Sequence, residues 1–213
     1  MASRLRVLLL VVFSSILSFT ASAQTKPFVN DEVAGDAARY EDYLKKAFKA
    51  DGKPPATHRK QGDKLLAAND VRGASAQYIY AVLGERKDAL SWLGLAKALI
   101  ATPPGNDDER YNLPVNASGA AYAAYTNASK PETKSEALAV LAEALKQRSY
   151  WRPAINAYKA SLEVREVANV RAAYEALVAE QGFRILDYTV DSDAASPRLC
   201  IQFSELLART QND

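Results

Sequence analysis

The chain has 213 residues, with 27 Lys and Arg against 25 Asp and Glu, and is 48% hydrophobic and 24% charged. These are the proportions of an ordinary globular protein, which excludes a long disordered tail, a collagen-like repeat and a membrane-embedded bundle. A formal net charge of +2 is too small for a nucleic-acid surface, and one cysteine with one histidine excludes a disulfide framework and leaves almost nothing for a zinc site.

Residues 1–23, MASRLRVLLLVVFSSILSFTASA, combine a positive start (Arg4, Arg6), an apolar stretch from Val7 to Phe19 and a small-residue site at Ala21, Ser22 and Ala23. That order predicts a cleaved secretory signal and a periplasmic or secreted product. The stretch is shorter than the ~20 residues a membrane span needs and contains Ser14, Ser15 and Ser18, so no stable membrane insertion is expected after cleavage. No cysteine sits near the site to carry a lipid anchor. Loss of Arg4 and Arg6 leaves 25 basic against 25 acidic residues, a balance that gives little long-range steering of either sign.

Residues 24–54 read as a short extended leader (Gln24 to Asn30) and one helix. Tyr40, Tyr43, Leu44, Ala47 and Phe48 recur at helical spacing, and Asp51-Gly52 before Pro54-Pro55 is the expected stop. From 55 to 181 the helical pattern returns at a fixed interval. Ala74 and Tyr78, Ala121 and Tyr125, and Ala154 and Tyr158 each place a small residue four positions before a ring. Gly62 precedes Ala74 by the same twelve positions that separate Ala142 from Ala154, and Trp92, Leu95, Ala96 and Leu99 open the unit between them.

These residues resemble degenerate tetratricopeptide repeats, whose period is about 34 residues. The resemblance implies antiparallel helix pairs brought close by small residues, with Trp92, Tyr78, Tyr125 and Tyr158 wedged between successive pairs, in an α-solenoid. The step from Ala74 to Ala121 is 47 positions and that from Ala121 to Ala154 is 33, so the middle unit carries an insertion. The segment ATPPGNDDERYNLPV is expected to supply it as a loop. The family's closing proline is missing, with Arg86 and Glu166 in its place, and an unrelated bundle of helical hairpins remains the alternative fold.

After Gln181-Gly182 the period changes to two. Leu186, Tyr188 and Val190 share one strand face, and after a turn at 192–197 so do Leu199, Ile201 and Phe203. Two strands are not independently stable, so 182–213 reads as the truncated start of a β-sandwich domain. The run from Val190 to Glu205, with Asp191, Asp193, Ser196, Pro197, Arg198, Cys200, Gln202, Phe203 and Ser204, is similar to the opening of the β-sandwich series in bacterial alpha-2-macroglobulin proteins of alphaproteobacterial type. That resemblance implies a periplasmic protease inhibitor of which this chain is the helical N-terminal part. The family's thioester motif, Cys-x-Glu-Gln, is absent, because Cys200 is followed by Ile201, Gln202 and Phe203.

Catalysis finds little purchase. His58 lies beside Arg59 and Lys60 and is expected to be a solvated residue at a helix start. Cys200 is expected to be buried under the end of the helical array. Asp107, Asp108 and Glu109 lack the spacing of a calcium loop and read as a solvated loop. No glycine-rich phosphate loop occurs, and neither Asn116-Ala-Ser118 nor Asn127-Ala-Ser129 is expected to be glycosylated. No enzyme, cofactor or metal is expected. The tetratricopeptide register places Arg59, Asp63 and Leu66, then Leu93, Lys97 and Ile100, then Glu143, Lys146 and Gln147 on the concave wall. The Lys/Asn clamp that the family uses for C-terminal carboxylates is missing from that wall. The first six are the candidate partner-binding residues. Leu93 and Ile100 are equally readable as packing on the insertion or on a neighbouring domain. The expected function is a non-catalytic scaffold within such an inhibitor, touching a protein partner or neighbouring domains; the alternative is a self-standing periplasmic adaptor that uses the same concave face.

Overall fold

The structure is a computed structural model that describes residues 27–191 and 196–204. The expected signal segment 1–23 lies outside the described residues, as do 192–195 of the expected turn and the tail 205–213. Eight helices among the described residues are followed by one antiparallel strand pair. The helices are α1 (Asp31–Ala47), α2 (Pro55–Ala67), α3 (Val71–Gly84), α4 (Ala89–Ala101), α5 (Asp107–Asn127), α6 (Pro131–Gln147), α7 (Trp151–Val164) and α8 (Ala168–Gln181). The strands are β1 (Ile185–Asp191) and β2 (Arg198–Phe203).

Local chemistry sets the helix starts. The side chains of Asn30, Asp70, Asp88 and Asn106 accept backbone N–H groups of Val33, Gly73, Leu90 and Glu109, the donors a helix cannot satisfy internally. Pro55 and Pro131 open α2 and α6, where the missing N–H costs nothing. The turns after α2 and α6 are the same turn: Asn69 and Ser149 both take positive φ, and Asp70 and Tyr150 donate back to Leu65 and Leu145 at 2.9 Å. Each is a Schellman-type exit, and the two lie 80 positions apart.

Consecutive helices pack in pairs, α2 with α3, α4 with α5 and α6 with α7, and each pair packs on the next. Small residues make the close approaches: Ala74, Ala96, Ala121, Ala142 and Ala154 are fully buried. Their loss of water-exposed area is modest, but it lets larger neighbours meet at interior density. Trp92 is 2% exposed and its Nε1 donates to the carbonyl of Arg86 at 2.7 Å, so the indole is buried without an orphan donor. Nearly every side of α4 is covered, because it lies against α2, α3, α5 and α6.

Several expectations for the helical part need correction. The first helix ends at Ala47, ahead of Asp51-Gly52, with Phe48 already extended; Gly52 supplies a left-handed φ of 80° inside the connector instead. Its buried stripe is Val33, Asp36, Tyr40 and Leu44, while Tyr43 and Ala47 face out. Most of the insertion is not a loop: from Asp107 it is α5, a 21-residue helix that runs through Pro114. Asn106 caps it and Asp107, Asp108 and Glu109 form its first turn, where carboxylates meet the positive end of the helix dipole.

The long α5 carries α1 along it. A Cβ on Gly119 would press on the backbone of Ala37, so glycine is what permits this close approach. A buried ion pair fixes the position: Arg148 Nη1 lies 2.7 Å from Asp36 Oδ2 and donates to Ser118 Oγ at 2.7 Å, while its guanidinium stacks on Tyr150 at 4.3 Å. Tyr125 also serves this region. It is only half-buried, and its hydroxyl accepts from the backbone N–H of Phe28 in the leader at 2.9 Å, so it does not wedge between helix pairs as Tyr78 does.

The strand pair is amphipathic and open. Tyr188 pairs with Ile201 and Val190 with Leu199 on one face; Asp187 with Gln202, Thr189 with Cys200 and Asp191 with Arg198 make up the other, after an irregularity between Ile185 and Asp187. Leu186, Tyr188, Val190, Leu199 and Ile201 are all exposed. Cys200 is likewise exposed, not buried under the helices, because the strand pair extends away from them on its own.

Candidate partner-binding groove

Residues Arg59, Asp63 and Leu66 fall at i, i+4 and i+7 of α2, and Leu93, Lys97 and Ile100 at the same spacing of α4. Packing of α2 beside α4 brings five of the six, Arg59, Asp63, Leu66, Leu93 and Lys97, to one groove of about 410 Å³. Leu90, Gly94, Tyr78 of α3 and Glu136 of α6 complete it. Leu93 is buried, so it forms groove floor and core together. Ile100 is elsewhere. It sits in the last turn of α4, where the chain leaves for α5, and it lines a separate cavity of about 360 Å³ with Pro103, Leu113 and Gln147; Gln147 Nε2 donates to its carbonyl at 3.3 Å.

Tyr78 is the floor of the groove, 1% exposed. A Cβ on Gly94 would overlap its ring and one on Gly62 would crowd it, so two glycines make the slot it fills. Its hydroxyl donates to Asp63 Oδ1 at 2.7 Å. Burial first, and then the Asp63 carboxylate, raise the phenol well above its ordinary range, so it stays a donor at any physiological pH. The wall charges are paired across elements. Arg59 Nη1 meets Asp88 Oδ2, the cap of α4, at 2.6 Å, and Lys97 Nζ meets Glu136 Oε1 at 2.5 Å.

The same arrangement recurs two helix pairs along. Tyr158 of α7 is buried and donates to Glu143 of α6, fifteen positions before it, as Tyr78 donates to Asp63. Its ring lies under a second groove of about 470 Å³ between α6 and α8, lined among others by Glu132, Glu136, Val140, Val170 and Arg165. Glu136 belongs to both linings, so the grooves adjoin. Of the third expected set, Glu143 is in this second groove, Lys146 is bonded to it at 3.1 Å, and Gln147 is in the separate cavity beside Ile100.

Glu136, Leu90 and Tyr78 were not foreseen as groove residues. Glu136 lies seven positions before Glu143, so the same helical spacing points to it. Tyr78 is on the second helix of its pair, and no count along the first helices reaches it.

His58 is not solvated. It is 5% exposed, with Nε2 2.9 Å from Asp51 Oδ1, Nδ1 2.9 Å from Gln77 Oε1 and its ring stacked on Tyr80. The expectation failed because the connector before α2 folds Asp51 back over the histidine. Bonding to His58 first, and to the Lys53 N–H next, holds the Asp51 carboxyl down at about 2.

The sequence matches no protein-family model and no curated protein. Among the described residues no helix is long and apolar enough to cross a membrane.

Proposed function

We propose that the chain is a non-catalytic helical-repeat scaffold, the N-terminal part of an exported alpha-2-macroglobulin-like protease inhibitor. In this reading α2 to α8 are tetratricopeptide-like units of an α-solenoid, and β1 and β2 are the first strands of a β-sandwich. The solenoid is supported by the recurrence, 80 positions apart, of one turn, one small residue and one tyrosine–carboxylate bond. The exported location rests on the pattern of residues 1–23. The observation that carries the reading is the strand pair: Leu186, Tyr188, Val190, Leu199 and Ile201 stand uncovered, as does Ile185 at the irregular end, while from Asp187 onward the opposite face carries Asp187, Thr189, Asp191, Arg198 and Gln202 with Cys200. Alternation of this kind belongs to a sheet with one buried face, and a lone strand pair is not stable, so further sheet from neighbouring domains is its natural cover.

A second reading, a self-standing periplasmic adaptor, is favoured by the adjoining grooves that share Glu136. Fractionation of the cells that make the protein, with an antibody against the helical part, separates the two. A periplasmic product much larger than this chain, whose migration shifts on exposure to protease, is expected for the inhibitor. A periplasmic product of this chain's own size with a stoichiometric partner supports the adaptor. A cytoplasmic product overturns both.

A further inference from the structure

The face of α2 turned away from the groove has a different character. Lys60 and Lys64, one turn apart, join Lys53 of the connector, Thr57, Gln61 and Gln77 of α3 around an open surface depression of about 720 Å³, with His58 at its wall. Three ammonium groups line it and no carboxylate does. The nearest acid in the bonding network, Asp51, is already engaged by His58 at 2.9 Å and by Lys53 at 3.4 Å. Among the described residues Lys60 and Lys64 have no ion pair, whereas Lys45, Lys97 and Lys146 of other helices each meet a glutamate. Like charges at i and i+4 weaken a helix, so the Lys60 and Lys64 pair is a cost to α2 that an anion between them reverses.

We propose that this open depression is a binding site for a phosphate-type oxyanion carrying more than one negative charge. Ammonium groups are compact charges on flexible stems that close on such a group from several sides, and the hydroxyl of Thr57 and the amide of Gln61 add neutral donors beside them. The near-neutral balance of the mature chain makes this a local recognition feature and not a consequence of overall charge. The site is independent of the groove and of the strand pair, so its failure leaves the scaffold reading intact.

Free phosphates and lipid headgroups share this chemistry, and two probes separate them. Pyrophosphate is titrated into the full chain by calorimetry, and vesicles of phosphatidylcholine with or without phosphatidylglycerol are sedimented with it. The test variant is Lys60→Glu with Lys64→Glu, both exposed; Lys87→Glu with Lys159→Glu, also exposed, is the charge-matched control. Circular dichroism establishes that both fold. The expected result is binding that weakens with salt and falls at least about tenfold in the test variant, with little change in the control. Pyrophosphate binding that displaces the anionic vesicles supports a single phosphate site; vesicle binding without pyrophosphate binding supports a headgroup source. Absence of both, or equal loss in both variants, overturns the proposal.

Discussion

Tyr78 occupies space that exists only because two positions lack a side chain. Gly94→Ala puts a methyl into the ring, and the ring cannot retreat without breaking its bond to Asp63. A loss of about 1–3 kcal/mol is expected, the range for overpacking a filled interior, and urea denaturation checks it. Trp92→Ala is the opposite error. It empties a buried site and abandons the Arg86 carbonyl, for an expected loss of about 3–5 kcal/mol; a loss below about 1 kcal/mol contradicts the burial. Acid stability draws on Asp51, Glu109 and Glu166, the last held down by its bond to Arg171. Asp51 falls from 3.8 to about 2 on bonding to His58, and Glu109 from 4.5 to about 2 on bonding to Arg72 and then the Gly105 N–H. Carboxyls depressed in the folded state stabilise it fully above their ordinary values, and that contribution disappears as pH falls from about 4 toward 2. Thermal melts are therefore expected to drop over that window, and less steeply in Asp51→Asn and Glu109→Gln. Tyr78 and Trp92 were legible as large residues in a small-residue register. The burial of His58 was not, because it depends on a connector folding back from outside α2.

At the scale of the element, α1 and α5 depend on each other. The insertion reads as a loop because Pro103, Pro104, Gly105 and Asn106 are loop chemistry. Yet Asn106 followed by three carboxylates is also a helix start, and the tertiary contact with α1 outweighs the proline in the interior. The buried pair of Asp36 and Arg148 joins residues 112 positions apart. Asp36→Ala removes the buried partner of Arg148 and leaves Glu32, at 3.4 Å, as its remaining carboxylate, for an expected cost of up to about 3 kcal/mol, below that of a fully unpaired buried charge. Replacing both partners with Leu and Met, apolar residues of similar size, should recover most of that loss, since the pair's own net contribution is small. Hydrogen exchange in α1 is the matching readout: protection should collapse in the single variant and return in the double one.

Across the whole molecule, the helical part has a continuous interior whereas the strand pair has none. Tyr188→Ser together with Val190→Thr removes apolar surface that already faces water. The melting of the helices is expected to move by less than about 0.5 kcal/mol, while binding of a hydrophobic dye and self-association both fall. A large loss of helix stability would mean that the strand pair is packed and not open. Its alternation was legible from Asp187 onward, because strand side chains alternate whatever the chain packs against; the irregularity between Ile185 and Asp187 was not. That Cys200 would be exposed was not, because exposure depends on what lies opposite a face.

Periodicity and the pairing of small with large residues belong to the sequence alone: helix starts, the recurring unit and the two strand faces all arise between residues close along the chain, where spacing dictates contact. The packing of α1 on α5, the meeting of Lys97 with Glu136, and the folding of Asp51 over His58 were decided only by the tertiary structure. Each joins separate elements, and a helical pattern states which side chains share a face without stating what that face will meet.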